Sequence, residues 1–264
     1  MKQTLLALSL ALAATSFGIA NAGVLKVGAS PVPHAEILEH VKPALEKEGV
    51  DLQIIEFNDY VQPQLAVAEG QLDANYSVHK PFLDAFIKDH GSDLISAAGI
   101  HIEPMGIYSH ALKSLSDVKN GAKIALPNDP SNGGRSLLLL DKAGLIKLSD
   151  PTDASSTLLD ITDNPKNLQF LELEAAQLPR VLEDVDLAVI NTNYAIPAGL
   201  NPLKDALLIE DADSPYVNII VATPKGAKNP DLKLLIDQLS AEDTTKFILE
   251  KYQGAVVPVA NQNK

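Results

Sequence analysis

The sequence of 264 residues carries 34 acidic against 21 basic side chains, a formal net charge of −13, and 46% hydrophobic residues. That acidity argues against nucleic acid and anionic membrane as partners, and the absence of Cys removes disulfide frameworks and thiolate chemistry. The apolar content suffices for one large domain or for two lobes of roughly 100–150 residues each.

Residues 1–22 read as a secretory signal peptide: Lys2 gives the positive start, residues 5–14 a short apolar stretch, and Ala20-Asn21-Ala22 a small-x-small cleavage site. Residues 24–28 predict a first strand that enters a turn. Pro33 then opens a helix with Ile37, Leu38, Val41, Ala44 and Leu45 as its apolar stripe and Gly49 as its stop. A second strand at 50–57 precedes a helix opened around Asn58–Pro63, with Leu65 and Ala68 inward and Gly70 at its end. A short strand at 72–76, a helix from Pro81 carrying Phe82, Leu83, Phe86 and Ile87, and a strand-like stretch at 94–108 broken by Gly99 and Pro104 complete the first half. Strands alternating with helices predict an α/β fold with a mostly parallel sheet covered on both faces.

The pattern then restarts. A strand at 122–126 leads into a helix at 133–143, a strand is expected at 168–173, a short helix at 176–183, a buried strand at 187–191 and another at 207–209. A β-branched strand at 217–223 and helices at 230–239 and 241–252 close the chain. Crossings between lobes are expected at 105–112 and 214–217. The resulting division is a signal at 1–22, lobe 1 at 23–108 plus 219–264, and lobe 2 at 109–218. A hinge crossed twice leaves a cleft between the lobes, the usual place for a small ligand.

The stretch LPNDPSNGGRSLLLLD is dense turn chemistry followed by an apolar helix with Arg135 at its start. A phosphate cradle, a carboxylate clamp and a capped helix with a surface Arg all fit it. Other polar groups fall at strand ends: Ser30 and His34; Asn58, Asp59 and Tyr60; Asn75, Tyr76 and His79; Asn191 and Asn193; and Asn218 beside Tyr216. An Asn amide offers donor and acceptor together, which suits a zwitterion, although Asn also ends strands because it tolerates turns. Tyr60, Tyr76, Tyr108, Tyr194 and Tyr216 fall near these loops and suit either an apolar ligand wall or ordinary half-buried packing. The six His lack HxxxH or HExxH spacing; His101 and Glu103 share a strand face, compatible with ligation, but no metal and no cofactor are expected. Nucleophile elbow, P-loop and GxGxxG motifs are absent, so no enzymatic activity is expected.

The segments FNDYVQPQ, DANYSVHKPFLDAF, PMGIYS, LPNDPSNGGRSLLLLDKAGLIKL, ELEAAQLPR, LAVINTNYA and SPYVNIIV resemble, in order, the methionine-binding lipoprotein family (MetQ/NlpA type) of bacterial ABC importers. The resemblance implies a two-lobed periplasmic-binding-protein fold, type II-like, that closes on a free amino acid and delivers it to a membrane permease. It implies that Arg135 holds the ligand carboxylate and that Asn191 and Asn218 bond its amino and carboxylate groups. It places His79, Tyr76, Tyr60 and Tyr108, with Glu103, near the side-chain pocket. A monomer is expected. The chain departs from the family in two places. Family members begin their mature form with a lipidated Cys, whereas this sequence has none, so a soluble periplasmic protein is expected. Ser77-Val78-His79 stands where the family reads aromatic-Gln-His, which re-shapes the pocket wall and leaves a different apolar amino acid or a short peptide open as ligand. A metal-binding importer component and a secreted hydrolase with a carboxylate pair are the remaining alternatives.

Overall fold

A computed structural model describes residues 23–211 and 214–259; the signal-peptide expectation lies outside the described residues. In chain order the first run is β1 (Gly23–Ala29), α1 (Glu36–Lys47), β2 (Val50–Glu56), α2 (Gln62–Ala68), β3 (Ala74–His79), α3 (Lys80–His90) and β4 (Ile95–Ile102). The second is β5 (Gly106–Tyr108), β6 (Lys123–Pro127), α4 (Pro130–Lys142), β7 (Lys147–Leu148), β8 (Ile161–Asp163), β9 (Gln169–Leu173), β10 (Leu187–Ile190), α5 (Thr192–Ala195), α6 (Pro202–Asp205) and β11 (Leu208–Ile209). The chain ends on β12 (Val217–Ala222), α7 (Pro230–Leu239), α8 (Glu242–Tyr252) and β13 (Val257–Pro258). Among the described residues no helix is long and apolar enough to cross a membrane.

Two sheets define two lobes. The first has the order β13-β4-β12-β3-β1-β2, the second β11-β5-β10-β6-β9. Strand β1 is parallel to β2 and β3, as the alternating pattern requires, but β12 is antiparallel to both β3 and β4. The reason is connectivity. Strands β3 and β4 run towards the cleft, whereas β12 re-enters the first sheet from the cleft side and must run away from it. The register then sets Asn218, near the start of β12, opposite His79 and His101 near the ends of β3 and β4. The β3–β12 register also skips Ser77, with Ile219 opposite Val78 and Ile220 opposite Tyr76. Such a bulge re-aims side chains beside a site.

Both crossings sit earlier than the expected division. Gly106–Tyr108 pairs with β10 of the second sheet, so the outward crossing is at 103–105 and Tyr108 belongs to lobe 2. The return crossing follows β11, which ends at Ile209, and Asn218 already belongs to lobe 1. A short strand broken by Pro104 can join either sheet, and only the pairing decides which. The two crossings are laced together: Glu210 N donates to Met105 O at 2.9 Å, and Met105 N donates to the Glu210 carboxylate at 2.9 Å.

Each lobe has its own core. In lobe 1, α1 buries Ile37, Leu38, Val41 and Leu45 against Leu25, Val27 and Leu52, with α7 and α8 on the same face. Each such side chain contributes about 1.5–3 kcal/mol of apolar transfer. The opposite face of the sheet is covered by α2 and α3, through Val67, Phe82, Leu83 and Phe86. In α2 the inward residues are Ala66 and Val67 while Ala68 is exposed, a different phase from the expected one. The helix is a bare two turns entered at Pro63, so its face is set by how it docks and not by a periodic stripe. Lobe 2 packs α4 on one face of its sheet through Leu137, Leu139 and Leu140.

Candidate functional site

The first turn of α4 is built from the turn-rich stretch. Asp129 is the N-cap, its Oδ1 accepting from Asn132 N at 2.9 Å, and Pro130 occupies the first turn where its missing N–H costs nothing. The helix therefore starts before Gly133, and Ser131, Asn132, Gly133 and Gly134 are helical and buried. Gly134 is needed for close approach, because a Cβ there would stand 2.1 Å from Ala154 O. Arg135 consequently lies in the second turn. Its Nε donates to Glu210 Oε1 at 2.8 Å, its Nη2 donates to Glu103 O at 2.8 Å and pairs with Glu210 Oε2, and its guanidinium carbon stands 4.2 Å from the Tyr216 ring centre. The fork expected to grip a ligand carboxylate with two bonds is thus engaged on one edge by Glu210. Nη1 carries no bond to a described residue.

Arg135 opens on a narrow cavity between the lobes, with a free volume of about 10 Å³. Lobe 1 supplies Tyr60, Ser77, Val78, His79, Phe82 and Asn218; the crossing supplies Glu103; lobe 2 supplies Asn132, Arg135, Asn191, Thr192 and Asn193. Of the residues singled out in the sequence, Arg135, Asn191, Asn218, His79, Tyr60 and Glu103 meet here. Tyr76 and Tyr108 do not line the cavity. Tyr76 is fully buried behind the wall, its hydroxyl bonded to His101 Nδ1 and its ring 4.7 Å from that of His34. Tyr108 faces the lobe 2 core with Ala125, Ala188 and Ile190, its ring against Gly106, where a Cβ would stand 2.8 Å from it. Alternation along β3 and β5 turned these rings away, and nothing in the local pattern says which face a short strand presents. Asn132, Phe82 and Thr192 are the lining residues that sequence reading had not singled out for the site. Asn132 carried one usable signal, its place three residues after the capping Asp129.

Bonds between the lobes hold the cleft shut. Tyr60 Oη donates to Asn193 Oδ1 at 2.7 Å, Tyr194 Oη donates to Asn58 O at 3.1 Å, and His79 Nε2 meets Asn132 Oδ1 at 2.9 Å. Thr192 Oγ1 anchors the start of α5 to Pro104 O at 2.6 Å. Two polar atoms of residues lining the cavity, Asn191 Oδ1 and Asn193 Nδ2, are buried with no protein partner.

Behind the cavity, lobe 1 carries a buried polar stack. His34 Nε2 lies 2.9 Å from Asn218 Oδ1 and 3.3 Å from Glu103 Oε1, and His101 Nε2 lies 2.7 Å from the same Glu103 oxygen. Burial lowers His34 to about 4 and His101 to about 3; burial and then the nearby Arg135 charge lower His79 to about 3. Burial raises the Glu103 carboxyl, opposed by His34 and Arg135. The potential ligand atoms of His34, His101 and Glu103 lie within 4.8 Å of one another, a grouping that invites a metal. The geometry reads better as hydrogen bonds. His34 Nδ1 is buried and unpartnered, so an ion on Nε2 would strand an N–H donor at Nδ1, whereas an Nε2–H donor leaves only a bare lone pair.

A family model described as NlpA lipoprotein matches residues 25–260. The chain belongs to the NlpA lipoprotein family. Within it, the D-methionine-binding lipoprotein MetQ of Salmonella typhi is 44% identical over 252 residues, covering 94% of this chain and 93% of that protein. A nutrient-binding protein from Burkholderia cenocepacia, solved bound to methionine, superposes with a TM-score of 0.86 at 46% identity, over 89% of this chain and 99% of that one. A periplasmic substrate-binding protein of an ABC transporter from Coxiella burnetii gives a TM-score of 0.85 at 43% identity, over 89% of this chain and 100% of that one. The fold of this NlpA-family chain is the two-lobed periplasmic-binding-protein fold, and its family works by binding, not catalysis.

Proposed function

We propose that this chain captures free methionine outside the cytoplasm and hands it to the permease of an ABC importer. The observation that carries this reading is the pair of open valences in a shut, buried cavity: an acceptor at Asn191 Oδ1 and donors at Asn193 Nδ2, close to the positive Arg135. A zwitterion supplies what each lacks. In this reading Arg135, through Nη1, and Asn218 hold the carboxylate. Asn191 takes the ammonium, with the Glu103 carboxylate adding negative charge to that corner. Tyr60, His79, Phe82, Ser77 and Val78 surround the side chain, and Tyr76 and Tyr108 act only as packing behind the wall. Binding shifts the population to the closed form, since only that form brings both lobes to the ligand. The proposal includes a monomer, free in the periplasm, with neither nucleic acid nor cofactor; the Cys-free sequence supports the unanchored form and the net charge of −13 the lack of a nucleic-acid partner.

The deciding experiment strips the protein by unfolding and refolding, then follows its melting temperature with each of the twenty amino acids. Methionine is expected to raise it, as linkage requires. Stabilisation by none of them would reject the reading. A second reading, a different apolar amino acid, is favoured by one observation: the bulged Ser77, a short polar side chain, lines the pocket at a position where the family resemblance implies an aromatic one. Mass spectrometry of the molecule that co-purifies separates the two.

A further inference from the structure

We propose that Asp129 and Asn132 are positioning residues that fix the polarity of Asn191, and that through them the site demands a free ammonium on its ligand. The proposal rests on the amino-acid reading above. The Asp129 carboxylate accepts from Asn132 Nδ2 at 2.9 Å through Oδ2 and at 3.1 Å through Oδ1. A reversed Asn132 amide would set its oxygen against that carboxylate, so Oδ1 is turned towards the cleft. There it accepts two bonds of 2.9 Å, from Asn191 Nδ2 and from His79 Nε2. The His79 tautomer is set independently, because its Nδ1 caps α3 by accepting from Phe82 N at 3.2 Å, leaving the hydrogen on Nε2. Asn191, with its Nδ2 committed to Asn132, has no choice either. A reversed amide would oppose two carbonyl oxygens.

The output of this relay is the unpartnered Asn191 Oδ1, an acceptor in a buried cavity. An ammonium satisfies it; a ligand with no N–H there leaves it stranded, and sites built to hydrogen-bond a ligand group discriminate steeply against analogues lacking it. The same Asn132 oxygen takes its second hydrogen bond from His79 of the opposite lobe. Closure therefore docks lobe 1 onto the atom that orients the ligand-reading amide. Asp129 serves twice, as helix cap and as the fixed end of the relay.

The test compares methionine with 4-(methylsulfanyl)butanoate, its des-amino analogue, by calorimetric titration. Asn132→Ala is expected to weaken methionine binding about tenfold or more beyond its effect on the analogue, which shares only the loss of the closing bond to His79, so that discrimination narrows. Asp129→Ser keeps a capping oxygen for α4 but cannot grip Nδ2 in the same way; it is expected to narrow the ratio similarly with the melting temperature preserved. Equal loss for both ligands, or no loss for either, would overturn the proposal. Should Asn132→Ala not fold, Asp129→Ser decides. In the unmutated protein, nitrogen-15 spectra of His79 are expected to show the hydrogen on Nε2, and an Nδ1–H form would overturn the relay. A wild-type protein that binds no amino acid would reject the amino-acid reading itself, while the His79 spectrum would still judge the relay.

Discussion

The two lobes meet the cleft with different chemistry. Lobe 2 offers the first turns of α4, with Arg135 and Asn132, and the amides of Asn191 and Asn193 just past β10. All are buried; partners within that lobe or the hinge, chiefly Asp129 and Glu210, orient Arg135, Asn132 and Asn191, while Asn193 Oδ1 accepts from Tyr60 of lobe 1. Lobe 1 offers a softer wall of Tyr60, Val78 and Phe82, backed by the buried His34, His101 and Tyr76 around the Glu103 carboxyl group. In the proposed reading lobe 2, joined by Asn218 of lobe 1, meets the part shared by all amino acids, and the rest of the lobe 1 wall meets the part that differs. On that reading a substitution at Ser77 is expected to re-shape specificity and to leave the Arg135 contacts in place.

Breaking the lobe 2 side has the largest expected effect. Arg135→Ala strands the Glu210 carboxylate, whose side chain is 14% exposed, and removes the bonds from α4 to both crossings. A stability loss of about 3–5 kcal/mol is expected by urea unfolding, together with a fall in methionine affinity of at least about a hundredfold by calorimetry. A variant as stable and as tight as the parent would mean that the hinge clamp is inert.

The lobe 1 stack is tested by acid. His34, His79 and His101 are held neutral, with folded values near 4, 3 and 3 against 6.5 unfolded. Between pH 6.5 and about 4 the unfolded chain binds protons that the folded one refuses, so each group removes up to about 1.4 kcal/mol of stability per pH unit as pH falls. Glu103 and Asp129, raised by burial, work in the opposite direction. The clean comparison is therefore His101→Gln against wild type: the variant is expected to lose stability less steeply between pH 7 and pH 4.5. Parallel slopes would refute a neutral His101.

Smaller effects sharpen the boundary between the lobes. Tyr60→Phe removes the bond to Asn193 across the cleft and leaves its oxygen unpaired, so affinity should drop about three- to tenfold with little change in melting temperature. Tyr108→Phe is expected to leave ligand affinity unchanged and to hold or raise stability by up to about 1 kcal/mol, because the buried Tyr108 hydroxyl has no partner. A marked affinity loss would return Tyr108 to the site.

Much of this molecule was legible in the sequence because the signals are local. The stripe Ile37–Leu38–Val41–Leu45, the turn-rich residues before the apolar run of α4, and the asparagines that follow apolar strands each report a period or a turn that neighbouring residues suffice to specify. Element types and the polar strand ends followed from these, and with them six of the residues that line the cavity: Arg135, Asn191, Asn218, His79, Tyr60 and Glu103. What only the tertiary structure decided are the pairings between distant segments. Glu210 occupies one edge of the Arg135 fork, 75 residues away in sequence. Strand β12 enters antiparallel and sets Asn218 between His79 and His101. Tyr76 and Tyr108 turn into the cores, and Asn132 becomes the oxygen on which both lobes meet. Register, strand direction and the face of a short strand are properties of packing between segments, and no local period carries them.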